Sequence, residues 1–323
     1  MAARPVRLAL PYRPPLDPSN LFGHLAATAV PGVEEYRDGR FRAAVRLTSA
    51  PAILDVALPV DGVVPVLLHL ADPRDEHEAV ARIRRMLDLD ADPVARGAVL
   101  GADPVLAPLV AAVPGRRVPG SSDPTAMAIR AVLGQQVSTA AARTHAARLV
   151  AEYGEPADDP EGTLTHRFPT PSAIVAGAVR LPEVARFPAA RRATLLTLVT
   201  ALADGRLRLD DPLPAVRAAL AALPGIGPWT IDTIAMRALG DADAFLAGDL
   251  GVVAAAARLG LPPRPRDLER RSAAWSPYRA TAVQYLWATG EHPVNRLPDE
   301  RASSALSGVR GRPEAPEPPG SGS

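Results

Sequence analysis

The stretch "LPGIGPWT", residues 223–230, sets two glycines and two prolines between two segments of helical pattern. Helix interiors disfavour both residue types, by about 1 kcal/mol for glycine and about 3 kcal/mol for proline. The chain must therefore turn here. Residues 214–222 and 229–239 read as the flanking helices. Glycine at 225 and 227 allows a tight turn with positive φ, and it removes side chains that would keep another molecule off the backbone. The amides of Gly225 and Gly227, with that of Thr230 in the opening turn of the second helix, are candidates to converge on one anion, aided by the helix dipole. An ordinary turn packed for stability is the competing reading. About twenty residues later comes "FLAGDLGV", whose Asp249 stands immediately before another helical stretch.

Toward the N-terminus the pattern differs. "PVRLALPY", "FRAAVRLT", "AILDVALP" and "VVPVLLHLA" are short, partly alternating apolar runs, which predict antiparallel strands, with "EEYRDGR" and "PVDG" as separators. One helix is expected in "SNLFGHLAATAVPGVEEY", with Ser19 or Asn20 as its cap and an end near Pro31. From Glu76 the apolar spacing turns to three and four residues, through segments such as "DPTAMAIRAVLGQQVSTAAARTHAARLVAEYG" and "PYRATAVQYLWATG", with no β-rich run between them. The expected fold class is α+β. A small mixed domain (1–75) precedes an all-α body (76–297) in two lobes, and a Pro/Gly/Ser-rich tail (298–323) is expected to be disordered.

Composition narrows the chemistry. The 323 residues include no cysteine, which excludes disulfides, thiol catalysis and cysteine-held zinc or iron–sulfur centres in this chain. All 36 basic residues are arginine, so no lysine amine is present to form a Schiff base. No run approaches the eighteen apolar residues that span a bilayer, and the opening residues hold no apolar leader core. A cytoplasmic, monomeric protein is expected.

"LPGIGPWTIDTIA" followed at this distance by "AGDLGV" resembles the helix-hairpin-helix and Gly-Pro-Asp segments of the base-excision DNA glycosylases, with Ala247 where the family often carries proline or an acidic residue before Gly-Asp. "DPTAMAIRAVLGQQVSTAAA" and "WSPYRATAVQYLW" resemble further segments of the AlkA-type, alkylpurine branch, and the mixed N-terminal unit resembles its accessory domain. The likeness covers roughly residues 5–293.

The resemblance implies a fold and a site. The all-α body would be a helix-hairpin-helix glycosylase core, binding double-stranded DNA in the nucleoid and excising 3-methyl- or 7-methylpurine-type bases. Asp249 would be the catalytic carboxylate. Read alone it is a helix N-cap, and the two roles are compatible, because a carboxylate at a helix N-terminus is favoured as the anion. Trp229 and Trp287 fall on pocket-lining positions. His24 stands where the family tends to carry an aromatic, and Thr233 where a pocket tyrosine is common. Gln136 matches the residue wedged into the duplex. The main-chain carbonyls of Ala221, Leu223 and Ile226 match those that hold a structural sodium or potassium ion; no other cofactor is implied. Two alternatives remain open at this point: a glycosylase for another lesion class, and a non-catalytic DNA-binding module that uses the hairpin as a clamp.

Overall fold

The alternating runs near the N-terminus become one antiparallel sheet. In the computed structural model, which describes residues 5–298, its strands are β1 (Val6–Pro11), β2 (Glu34–Arg37), β3 (Arg40–Arg46), β4 (Pro51–Ala57) and β5 (Val63–Leu70), in the order β1-β5-β4-β3-β2. Along β5 Val64, Val66, Leu68 and Leu70 are buried and their neighbours partly exposed, the period of two that marks a half-covered strand. The polar "EEYR", expected to be a separator, is β2. Asp38 and Gly39, at φ 52° and 72°, form the two-residue turn whose twist suits a hairpin, and this pairs β2 with β3.

Helix α1 (Ser19–Thr28) connects β1 to β2 and ends before Pro31 as expected. Its cap differs from expectation. Neither Ser19 nor Asn20 caps it; the Asp17 carboxylate accepts from Ser19 N at 3.1 Å and from Ser19 Oγ at 2.8 Å. Asn20 is buried and donates to Arg117 O at 2.6 Å. Helix α2 (Glu76–Met86) covers the same face of the sheet, and Phe22, Phe41, Leu54, Leu68, Ile83 and Met86 share one core.

The remainder is mostly helical: α3 (Pro93–Gly101), α4 (Ala107–Ala112), α5 (Pro124–Leu133), α6 (Thr139–Tyr153), α7 (Pro171–Ala176), α8 (Leu181–Val184), α9 (Ala189–Ala203), α10 (Leu213–Ala221), α11 (Pro228–Ile234), α12 (Leu250–Arg258), α13 (Pro265–Ser272) and α14 (Arg279–Ala288). Two apolar cores divide it. Ile129, Leu149, Leu198 and Leu220 belong to one; Phe245, Val252, Trp275 and Leu286 belong to the other. The segment from α11 onward serves both, with Ile234 in the first core and Met236 in the second.

Three details depart from the sequence reading. Strands β6 (Glu155–Pro156) and β7 (His166–Arg167) form a small hairpin inside the helical body. The long run from Asp123 breaks after Leu133 and restarts at Thr139, where Ser138 Oγ caps α6. The continuation of α11, Ala235–Leu239, is π-helical. The disorder expected of the tail concerns residues that, from Asp299 on, lie outside the described ones.

Candidate active site

The turn between α10 and α11 is built around Gly225, at φ 83°. A Cβ there would lie 2.0 Å from Thr194 Oγ1 on α9, so both backbone and packing demand glycine. Gly227 differs from expectation. Its φ is −95° and its ψ 176°, an extended conformation open to any residue. A Cβ on Gly227 would meet nothing within 4 Å, so this stretch of backbone faces open space. Among the described residues the N–H groups of Gly225 and Gly227 donate to no protein acceptor. The Thr230 amide is different: it already donates to Gly227 O at 3.0 Å, so the expected three-amide cluster reduces to two.

Thr230 contributes through its side chain. Gln135 Nε2 donates to Thr230 Oγ1 at 3.0 Å and to Gly225 O at 3.2 Å, fastening the α5–α6 loop to the hairpin. Gln135 was not singled out by the sequence; its neighbour was. Gln136 is exposed at φ 54°, a left-handed conformation that costs a non-glycine residue energy and tends to mark functional loops. A Cβ at Gly134 would lie 3.8 Å from Trp229 Cη2, an ordinary contact, so packing does not require glycine there. The carbonyls of Ala221 and Ile226 accept no hydrogen bond among the described residues, and that of Leu223 accepts from Ile226 N at 3.1 Å. Oxygen donors of this kind fit a hard monovalent cation.

Asp249 is the N-cap of α12, as its place before "LGVVAAAARLG" indicates. Its Oδ1 accepts from Val252 N at 3.0 Å and from Trp287 Nε1 at 2.8 Å; its Oδ2 accepts from Trp229 Nε1 at 3.0 Å. Three N–H donors from three helices thus hold one carboxylate between two indoles. Gly251, which the sequence reading passed over, makes this possible, because a Cβ there would lie 3.0 Å from Trp287 Nε1 and 3.1 Å from Asp249 Oδ1.

The wall beside the indoles is more polar than expected. Thr233 follows Trp229 by one turn; it is 8% exposed and its Oγ1 has no partner among the described residues. Arg237 follows by another turn. Its guanidinium lies 5.2 Å from the Trp287 ring centroid and donates through Nη1 to Pro119 O at 2.6 Å. Burial pushes its pKa down to about 9, opposed only by the charge of Asp249. Arg237 was missed among the many helical arginines; its spacing of four and eight residues from Thr233 and Trp229 was the available signal. His24 approaches from α1. The turn after α14 is seated on that helix: a Cβ at Gly23 would lie 2.2 Å from Arg296 O, and Asn295 Nδ2 donates to Trp287 O at 2.9 Å. The structure therefore brings together Asp249, Trp229 and Trp287, sets Thr233 one turn beyond Trp229, and carries His24 on α1, the helix against which the turn after α14 packs.

A family model described as the AlkA N-terminal domain matches residues 7–123. The chain is 32% identical over 296 residues to DNA-3-methyladenine glycosylase 2 of Escherichia coli, covering 87% of this chain and 96% of that protein. The chain belongs to the AlkA family. Within it, the chain is 50% identical over 301 residues to the probable bifunctional transcriptional activator/DNA repair enzyme AlkA of Mycobacterium tuberculosis, covering 93% of this chain but 60% of that longer protein. Among solved structures, 3-methyladenine DNA glycosylase from Archaeoglobus fulgidus shares the fold, with a TM-score of 0.73 at 19% identity over 88% of this chain and 97% of that one. The sheet domain and the two-lobed helical body are thus the architecture of AlkA-type helix-hairpin-helix glycosylases.

Proposed function

We propose that this AlkA-family protein binds duplex DNA, flips an alkylated base out of the stack and hydrolyses its N-glycosidic bond. The observation that carries this reading is the Asp249 carboxylate, fixed by Val252 N and both indole N–H groups. Loss of the base puts positive charge on the deoxyribose. A preorganised anion beside C1′ lowers that barrier, and each 1.36 kcal/mol is tenfold in rate. With one oxygen lone pair still free, Asp249 is also able to orient the attacking water. Trp229 and Trp287 supply the faces against which an extruded base stacks.

The open amides of Gly225 and Gly227 would take a backbone phosphate, and Gln136 would fill the gap left by the flipped nucleotide. The carbonyls of Ala221, Leu223 and Ile226 would hold a sodium or potassium ion that braces the hairpin. We place the enzyme, as a monomer, in the cytoplasm at the nucleoid; among the described residues no helix is long and apolar enough to cross a membrane. With no lysine in the chain, the reaction should stop at an intact abasic site. Incubation with methylated duplex DNA tests the whole reading: free methylpurines should appear, and borohydride should trap no protein–DNA adduct. Release of no base would leave only a DNA-binding module, and an efficiently trapped adduct would show lyase chemistry.

A further inference from the structure

The loop between α5 and α6, residues 134–138, carries Gln136, and residues 221–230 carry the hairpin; one side chain joins the two. Among the described residues every hydrogen bond between them comes from Gln135 Nε2, which donates to Gly225 O at 3.2 Å and to Thr230 Oγ1 at 3.0 Å. The Gly225 carbonyl shares a planar peptide unit with Ile226 N–H, which donates to Leu223 O at 3.1 Å. That unit is thus held at both ends, and it lies between the open amides of Gly225 and Gly227. Thr230 is buried and follows Trp229, whose Nε1 donates to Asp249 Oδ2 at 3.0 Å. Gln135 therefore fastens the loop both to the glycine turn and to the first turn of α11.

Gln136 is next in sequence to this anchor, exposed and at φ 54°. A left-handed conformation is unfavourable for a residue other than glycine and persists where surrounding contacts fix it. At the near end of the loop Gly134 N donates to Arg130 O at 2.9 Å, and at the far end Ser138 Oγ accepts from Ala141 N at 3.2 Å. Both of these bonds hold the loop to its own helices. The Gln135 bonds hold it to the hairpin. Without them the loop is free to relax, and the cost of ordering it again subtracts from the free energy of inserting its tip into DNA.

We propose that Gln135 is a positioning residue: it holds Gln136 in its left-handed conformation and in register with the hairpin, so that gripping the strand and filling the gap act together. The proposal rests on the wedge and glycosylase readings above. The measurement is single-turnover base release from an oligonucleotide carrying one 7-methylguanine, as a duplex and as a single strand. A wedge acts only where a flipped nucleotide leaves a gap opposite a partner strand. The duplex-to-single-strand ratio therefore reads the wedge, and a general loss of packing or chemistry cancels from it. Gln135→Ala should lower that ratio about fivefold, the worth of one hydrogen bond. Gln136→Ala should lower it several-fold in the wild type but by less than about twofold beside Gln135→Ala. Thr230→Val, at the other end of the hydrogen bond, should also shrink the effect of Gln136→Ala, which adjacency in sequence would not do. The same cycle is read from the duplex rates by themselves. A Gln136→Ala effect of equal size in all three backgrounds overturns the proposal alone. No effect of Gln136→Ala in the wild type removes the wedge and the proposal together, and release from neither substrate overturns the glycosylase reading with both.

Discussion

Two arginines, both nearly hidden from solvent, sit in opposite circumstances. Arg42, on β3, is 2% exposed, and Arg237 is 5% exposed. Arg42 donates through Nη1 to Glu35 at 2.8 Å and Thr163 Oγ1 at 2.8 Å, and through Nη2 to Asp159 at 2.5 Å, while Nε faces Asp55 at 3.6 Å. Its pKa is raised despite burial, by the hydrogen bonds it donates to Asp159 and Glu35. Arg237 has one carbonyl, one indole face and no salt bridge among the described residues, and its pKa is lowered. The first cluster pairs both Nη groups with carboxylates, leaves Arg42 Nε without a hydrogen bond among the described residues, and ties the sheet to the β6–β7 segment. The second leaves the charge of Arg237 with no carboxylate partner among the described residues. A buried charge that meets carboxylates holds parts of the fold together; one that meets only a carbonyl and an indole face adds no such tie.

Breaking the region around Asp249 and Arg237 should destroy turnover and spare the fold. Asp249→Asn keeps the shape and removes the charge, so base release should fall about a hundred- to a thousandfold, roughly 3–4 kcal/mol. Binding to an abasic-site analogue and the melting temperature should change little. Wild-type turnover in this variant would reduce Asp249 to a helix cap.

Breaking the charge-paired Arg42 cluster should do the reverse. Asp159→Ala leaves the buried charge of Arg42 undercompensated, and about 3 kcal/mol of unfolding free energy should be lost in denaturant titrations, with per-molecule activity retained in the folded fraction. The pH dependence follows from the carboxyl of Asp159. Burial raises its pKa, but the hydrogen bonds from Arg42 and from the amides of Leu164 and Glu161, with the charge of Arg42, depress it well below the usual carboxylate range. A depressed folded-state value gives stability that is present above about pH 4 and lost as pH falls toward that value. Thermal stability of the wild type should therefore drop below about pH 4 more steeply than that of Asp159→Asn.

The hairpin lies between the two extremes. Gly225→Ala incurs a positive-φ penalty of about 1 kcal/mol and a clash with Thr194. Adding Thr194→Ala should recover the clash and leave the backbone penalty, a separation readable in a double-mutant cycle. The smallest effect on the fold belongs to the exposed loop. Gln136→Ala should slow release from duplex DNA several-fold, with Gln136→Leu better tolerated, and both should keep stability within about 0.5 kcal/mol. Equal single-turnover rates for wild type and Gln136→Ala at subsaturating enzyme would remove the wedge role.

Local chemistry along the chain was enough to reveal the hairpin, the cap position of Asp249, most of the strands and the principal helices. Each depends on neighbours within a few residues: a glycine turn, a helix N-terminus, an alternation of apolar side chains. The polar strand β2 escaped because its place is set by pairing with β3 across the Asp38–Gly39 turn, and hydrophobic pattern carries no trace of that. Arg237, Gln135 and Gly251 escaped for a related reason. Nothing in "AMRAL", "GQQV" or "DLGV" distinguishes a working side chain from a filler until the chain folds. Only the tertiary structure brings Trp287 to Asp249 over Gly251, ties Gln135 to the hairpin and lays Arg237 against the Trp287 ring. Which polar groups are satisfied and which are left free is decided by contacts between distant segments, and that balance of pairing and desolvation is not written in any one of them.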